Sequence, residues 1–142
     1  MGNAVWLTLA IPKWFFSTLL APFAGGPLTL LPSAGSVCLG IGVFEAVRHR
    51  QWRLSLIAFS FLLSEVFGAL SGLLRGQYTI QSHQSPSILI NTFLGSQLII
   101  NMFFLYWFKN ARVSALFLVV FCLIYALFTL FVAEMSLQEA WL

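Results

Sequence analysis

Charged side chains are scarce in this sequence. Asp, Glu, Lys and Arg make up 8% of its 142 residues, whereas soluble domains carry about 25%. Hydrophobic residues account for 60% of the chain, and a water-soluble protein of this length could not bury so much apolar surface. The composition therefore excludes an ordinary soluble domain and indicates an integral membrane protein. The net charge of +3 is too small for a nucleic-acid-binding surface, so no nucleic-acid partner is expected.

Residues that build metal, disulfide or catalytic sites are also few. Cys38 and Cys122 lie in apolar runs with no CxxC spacing and no histidine nearby, which argues against a disulfide framework and a zinc site. His49 and His83 belong to polar segments on opposite sides of the predicted membrane, so they cannot ligate an intramembrane haem together. The sequence contains no glycine-rich phosphate loop and no Ser-His-Asp set. We therefore expect no metal, no cofactor and no enzymatic activity.

What the sequence does contain is a series of long apolar runs. A helix needs about 20 apolar residues to cross the hydrocarbon core of a bilayer. Runs of this kind cover residues 28–47, 54–74, 88–108 and 113–133. The predicted fold class is an all-α integral membrane protein, in which residues 28–142 form a bundle of four transmembrane helices.

Residues 1–27 do not fit the same pattern. If residues 5–24 crossed the membrane, Pro12 and Lys13 would lie near its middle. We therefore predict an interfacial or re-entrant N-terminal segment, with Trp6, Lys13 and Trp14 at the level of the lipid headgroups. The alternative is a fifth span.

Basic residues in the short loops predict the orientation. Loop 48–53 contains three arginines, and loop 109–112 contains one lysine and one arginine. Because Lys and Arg are enriched in cytoplasmic loops, both loops are predicted to be cytoplasmic, with the C-terminus on the opposite side. Trp52 and Trp107 are predicted anchors at the cytoplasmic interface, and Trp141 at the other interface.

One carboxylate, Glu65, interrupts the apolar run of the second span. An ionised side chain near the middle of a membrane costs roughly 3 kcal/mol or more, so an interaction or a function must offset it. The helix rise puts Glu65 about 16 Å from the cytoplasmic end of its helix. Polar residues of the other three spans fall near the same depth. The predicted polar layer consists of Ser36, Glu65, Gln97, Asn101 and Tyr125.

Small residues share the helix face of Glu65. Ser64, Gly68 and Gly72 lie on or beside this face, and the stretch "GALSG" is a GxxxG match, a pattern typical of close helix packing. We therefore expect Glu65 to face other protein, where an amide of the third span or the hydroxyl of Tyr125 can hydrogen-bond it.

Two interpretations of Glu65 follow. In the first, its carboxyl group is protonated and donates a hydrogen bond between helices, since a low-dielectric environment favours the neutral form. In the second, it carries a proton or cation or anchors a ligand, as ionisable groups inside membranes often do.

The sequence favours a non-catalytic subunit or interaction partner within a larger membrane assembly. Its expected partners are the lipid bilayer and either other transmembrane subunits or further copies of itself. The alternative is a small homo-oligomeric transporter or channel that uses Glu65 and Gln97 for a proton, a cation or a small polar solute. A membrane-embedded enzyme acting on lipid comes third, because no nucleophile–base pair is visible.

Overall fold

The computed structural model describes residues 2–19, 29–74 and 84–137, and all regular structure in these ranges is helical. The helices are α1 (Gly2–Ser17), α2 (Leu30–Arg48), α3 (Ala58–Leu73), α4 (Gln84–Trp107) and α5 (Arg112–Leu137), with short 3₁₀ helices at Trp52–Ile57 and Lys109–Ala111. Four helices are long and apolar enough to cross a membrane: α2, α3 together with the 3₁₀ helix before it, α4, and α5.

Each of these four helices overlaps one of the four predicted runs, but the helices begin and end at different residues from the runs. The second run begins with the 3₁₀ helix Trp52–Ile57 and becomes α-helical only at Ala58. Helix α4 begins at Gln84, ahead of the apolar run, with Pro86 in its first turn. Proline is tolerated there because the first amides of a helix have no intrahelical partner.

Helix α5 is the most buried of the four. In its most apolar stretch 56% of the residues are buried, against 22% for α2 and 17% for α4. Helices α2, α3 and α4 each pack on it. Ala115, Ala126 and Ala133 are all fully buried, and these small side chains let the neighbouring helices approach closely.

Helix α1 packs against the bundle with one face. Leu7, Ile11 and Phe15 are at most 1% exposed. A Cβ atom on Gly68 of α3 would lie 2.8 Å from Cδ1 of Ile11, and the ring of Phe15 lies 4.9 Å from that of Tyr125 on α5. Helix α1 therefore contributes to the core shared by α3 and α5.

The predicted N-terminal segment is thus helical over its described part. The sixteen residues of α1 correspond to about 24 Å of helix, which is shorter than the ~30 Å hydrocarbon core. Residues 20–28 lie outside the described residues. The choice between a re-entrant segment and a fifth span stays a prediction.

The two basic loops lie at the same end of the bundle. Residues 50–54 and 107–111 line one common cavity, as expected if both loops are on one side of a membrane. The compartment that this end faces stays a prediction. Trp141 lies outside the described residues.

Candidate functional site

Glu65 is half-buried on α3 and is paired with Tyr125 of α5. The Tyr125 hydroxyl donates a hydrogen bond to Oε1 of Glu65. Tyr125 is fully buried, and its ring is held between those of Phe15 and Phe61, whose centroids lie 4.9 and 4.7 Å away. These aromatic contacts fix the direction of the phenol, so the hydroxyl is aimed at the carboxyl group.

The position of Glu65 on α3 explains its partial exposure. Ser64, the preceding residue, is fully buried, whereas Val66, the next one, is 54% exposed. Glu65 therefore lies at the edge of the packing face. In the contact with Tyr125 the tyrosine hydroxyl donates and Oε1 of Glu65 accepts, and whether the carboxyl group is protonated stays a prediction.

A second polar cluster joins α3 to α4. Nε2 of Gln97 donates to the backbone oxygen of Ser60 at 2.8 Å and also to the Ser60 hydroxyl. The Ser60 hydroxyl in turn donates to Oδ1 of Asn101 at 2.9 Å. All three side chains are at most 1% exposed. Because Gln97 and Asn101 lie one helical turn apart, the two amides and one serine fix the register of α4 against α3.

Sequence reasoning did not select Ser60, although it is the centre of this cluster. A serine is common in membrane helices and carries little signal by itself. The signal that could have found it is its place one turn before Ser64 on the small-residue face, at a depth close to that of Asn101.

The second cluster keeps unused hydrogen-bonding capacity. Oε1 of Gln97 and Nδ2 of Asn101 are buried and have no hydrogen-bond partner within the described residues. One is an acceptor and the other a donor.

The predicted polar layer is therefore divided into separate contacts. Ser36 belongs to neither cluster, because its hydroxyl donates to the Pro32 carbonyl of its own helix at 3.0 Å. Glu65 and Ser60 are five positions apart on α3, which corresponds to a rotation of about 140°. Glu65 consequently pairs with Tyr125 of α5, while Ser60 pairs with the amides of α4. Similar depth did not bring these residues into contact.

The small-residue face of α3 is covered by the same chain. Ser64, Gly68 and Gly72 are buried. A Cβ atom on Gly68 would meet Ile11 of α1 at 2.8 Å and Thr129 of α5 at 3.6 Å. The GxxxG pattern thus serves helix packing inside the chain.

The described tryptophans occupy different environments. Trp52 and Trp107 are 73% and 62% exposed at the basic end of the bundle. Trp14 is partly buried against the core and forms an edge-to-face contact with Trp6, with ring centroids 5.4 Å apart. The exposed pair has the amphipathic surface that suits a membrane interface, and its role as an anchor stays a prediction.

The chemistry available at these sites is hydrogen bonding and proton exchange. Glu65 and Tyr125 form an acid–phenol pair, and Gln97 and Asn101 supply amides. Within residues 2–19, 29–74 and 84–137, no three His, Cys, Asp or Glu side chains come together as metal ligands. No protein-family model, curated protein or solved structure matches the chain.

Proposed function

We propose that this chain is a multi-pass membrane protein, that its two basic loops face the cytoplasm, and that it acts as a non-catalytic subunit or interaction partner in a larger membrane assembly. The observation that carries the assembly role is the exposed face of α4. Its most apolar stretch is only 17% buried by its own chain. Large side chains remain exposed on it: Met102, Phe103, Tyr106 and Trp107 are all at least 50% exposed.

This face is rich in aromatic residues only from Met102 to Trp107, because Ile99, one turn earlier, is aliphatic and 71% exposed. That end of α4 differs from the exposed face of α2. The α2 face is mainly aliphatic, with Val37, Ile41, Val43 and Val47 exposed alongside Phe44. Aliphatic side chains are well matched to lipid tails. Met and aromatic residues are enriched where one protein contacts another. The contrast supports a partner on α4 and lipid on α2.

A second candidate, a homo-oligomeric transporter, is favoured by one observation. Glu65 is half-buried at the edge of α3, where further copies of the chain can approach it. Against this candidate, the acid is held by Tyr125, and Gln97 belongs to a different cluster on the opposite side of α3.

Labelling from each side tests insertion and orientation. Cys38 and Cys122 are first replaced by alanine, and single cysteines are then introduced at Arg53, at Asn110 or at Ser82. A membrane-impermeant thiol reagent is expected to label Arg53→Cys and Asn110→Cys only from the cytoplasmic side and Ser82→Cys only from the other side. Labelling of all three from the same side would refute the four-span topology.

Photo-crosslinking in native membranes tests the assembly role. A photoreactive amino acid at Met102, which is 66% exposed on α4, is compared with one at Phe44, which is 65% exposed on α2. We expect adducts with another protein from Met102 and adducts with lipid alone from Phe44. Adducts between copies of the chain at both positions, with a homogeneous homo-oligomer in mild detergent, would support the transporter. Lipid adducts alone at both positions would refute the partner on α4.

A further inference from the structure

A groove between α2 and α3, with α5 as its floor, is only partly filled by α1. Helix α1 ends at Ser17, and next to Phe16 an open cavity of about 370 Å³ remains, extending toward the basic end of the bundle. Its walls are almost entirely apolar and include Leu39 and Val43 on α2, Ala58 and Phe61 on α3, and Leu118 and Phe121 on α5. We call this cavity the apolar groove. Its size and lining suit a hydrocarbon chain.

A second cavity lies between the two basic loops. It has a volume of about 690 Å³, and three basic residues line it: Arg50, Arg53 and Lys109. The Lys109 ammonium lies over the ring of Tyr106, 4.3 Å from its centroid. No carboxylate is among its lining residues. Glu45, which could neutralise cations at this end, pairs instead with Arg48 at 3.8 Å and His49 at 3.2 Å. We call this cavity the cationic pocket. Its charge suits an anion.

The apolar groove and the cationic pocket adjoin one another. Gln51, Trp52 and Leu54 line both. These shared residues join the two cavities end to end. An apolar wall and a set of basic side chains therefore follow one another in the order in which a phospholipid carries its acyl chain and its phosphate.

The backbone conformation of Arg50 is set by the end of α2. Arg50 has a φ of +52° and is the only positive-φ residue other than glycine among the described residues. It closes α2 in a Schellman arrangement, in which its amide bonds to the oxygen of Val47 at 3.1 Å and the Gln51 amide bonds to the oxygen of Ala46 at 2.9 Å. Glycine is the usual residue at this position. The end of α2 accounts for the positive φ, and it places Arg50 among the basic residues that line the pocket.

We propose that the groove and the pocket together bind one anionic phospholipid of the leaflet next to the basic loops. The phosphate lies among Arg50, Arg53 and Lys109, and an acyl chain lies in the apolar groove. Basic pockets between membrane helices bind anionic headgroups in this way. The proposal rests on insertion into a membrane and does not depend on the identity of any protein partner.

The thermal stability of the protein in mild detergent tests the site. We expect added phosphatidylglycerol to raise Tm by about 3–6 °C, because a ligand that binds only the folded state stabilises it. Phosphatidylcholine with the same acyl chains is expected to have little effect, and so is glycerol phosphate, which lacks the chains. Equal shifts with both lipids would overturn the charge requirement. A shift with glycerol phosphate as large as that with the lipid would indicate a site for free anions and would also overturn the proposal.

Variants separate the two halves of the site. Arg53→Gln and Ala58→Phe, which fills the groove, are each expected to remove most of the shift caused by phosphatidylglycerol. Arg112→Gln is the matched control for charge, because Arg112 lies at the same end of the bundle and lines neither cavity. A loss with Arg112→Gln equal to that with Arg53→Gln would mean that the charge acts diffusely, and the proposed site would be wrong.

Arg50→Gly gives the sharpest test, because it changes two quantities in opposite directions. Glycine relieves the backbone at this position, so Tm without lipid is expected to rise. The lipid-dependent shift is expected to fall, because a cation is lost from the pocket. A full lipid shift in this variant would show that Arg50 does not contact the headgroup and would overturn its assignment. The cytoplasmic labelling described above is an independent experiment, so a wrong orientation and a wrong lipid site give different results.

Discussion

Replacing Gly42 with leucine is expected to prevent α2 from packing on α5 and to abolish the recovery of folded protein. A Cβ atom on Gly42 would lie 2.8 Å from Cγ of Leu118 and 3.2 Å from its backbone nitrogen. The leucine side chain can rotate, but the backbone of α5 cannot withdraw without disturbing the packing of the other helices. Even Gly42→Ala is expected to lower the free energy of unfolding by about 1–3 kcal/mol, the usual cost of overpacking. The measurements are the yield of monodisperse protein in mild detergent and its Tm.

Gly40 provides the matched control in the same helix. Nothing lies within 4 Å of a Cβ atom built at this position, and the residue is exposed. Gly40→Leu should therefore be tolerated, and Gly40→Ala should stabilise the helix by about 0.5–1 kcal/mol because alanine loses less conformational entropy than glycine. Equal losses at Gly40 and Gly42 would show that close contact with α5 is not the cause.

Replacing Glu65 is expected to have an effect that depends on the hydrogen-bonding capacity of its replacement. Gln keeps an oxygen that can accept from Tyr125, so Glu65→Gln should lower the free energy of unfolding by less than about 1 kcal/mol. Leu removes the acceptor and leaves the hydroxyl of a fully buried tyrosine without a partner. Leaving a buried polar group unpaired costs about 1–3 kcal/mol, so Glu65→Leu should destabilise the protein clearly.

A double-mutant cycle with Tyr125→Phe isolates this pair. Replacing both partners by apolar groups is close to neutral, so the double variant Glu65→Leu with Tyr125→Phe should regain much of the stability lost in Glu65→Leu alone. Additive losses would show that the hydrogen bond contributes nothing measurable.

If Glu65 carries a proton or cation, Glu65→Gln should abolish transport while the protein still folds. Full stability and full activity in both Glu65→Gln and Glu65→Leu would make the residue incidental.

The helices could be predicted from the sequence because run length and composition are local properties. About 20 consecutive apolar residues form a helix in a membrane whatever lies beside them. The ends were less predictable. The apolar run beginning at Leu54 contains no proline or glycine before Ala58 that would mark its 3₁₀ start, and α5 continues through Glu134 to Leu137 although hydrophobicity falls.

For the candidate site, the sequence predicted how deep each polar residue lies in the membrane, but not which of these residues touch one another. The helix rise gave similar depths for Glu65, Gln97 and Tyr125, but which of them touch depends on how each helix is rotated and on which helix is its neighbour. Tyr125 meets Glu65 because α5 packs on that side of α3, whereas Gln97 meets Ser60 on the other side. The rotation of each helix about its axis is decided by side-chain packing between segments that are distant in the sequence. The periodicity of one segment does not predict that packing.

The position of α1 was the least accessible to sequence reasoning. Pro12 and Lys13 argued against a fifth membrane span and gave no indication of helix packing; the helix continues through Pro12, and Lys13 remains exposed. The buried face is formed by Leu7, Ile11 and Phe15. Their packing partners lie on α3 and α5, far along the chain, so no pattern within residues 2–17 predicts these contacts.

The packing of α1 against α3 and α5 has a consequence for biogenesis. Translation produces α1 before either helix that receives it, and Phe15 cannot reach Tyr125 until α5 has been made. Ile11 can pack on Gly68 as soon as α3 has been made, whereas Phe15 has to wait for α5. The apolar side of α1 is therefore covered in two steps, and its packing is completed only when the last helix of the bundle is in place.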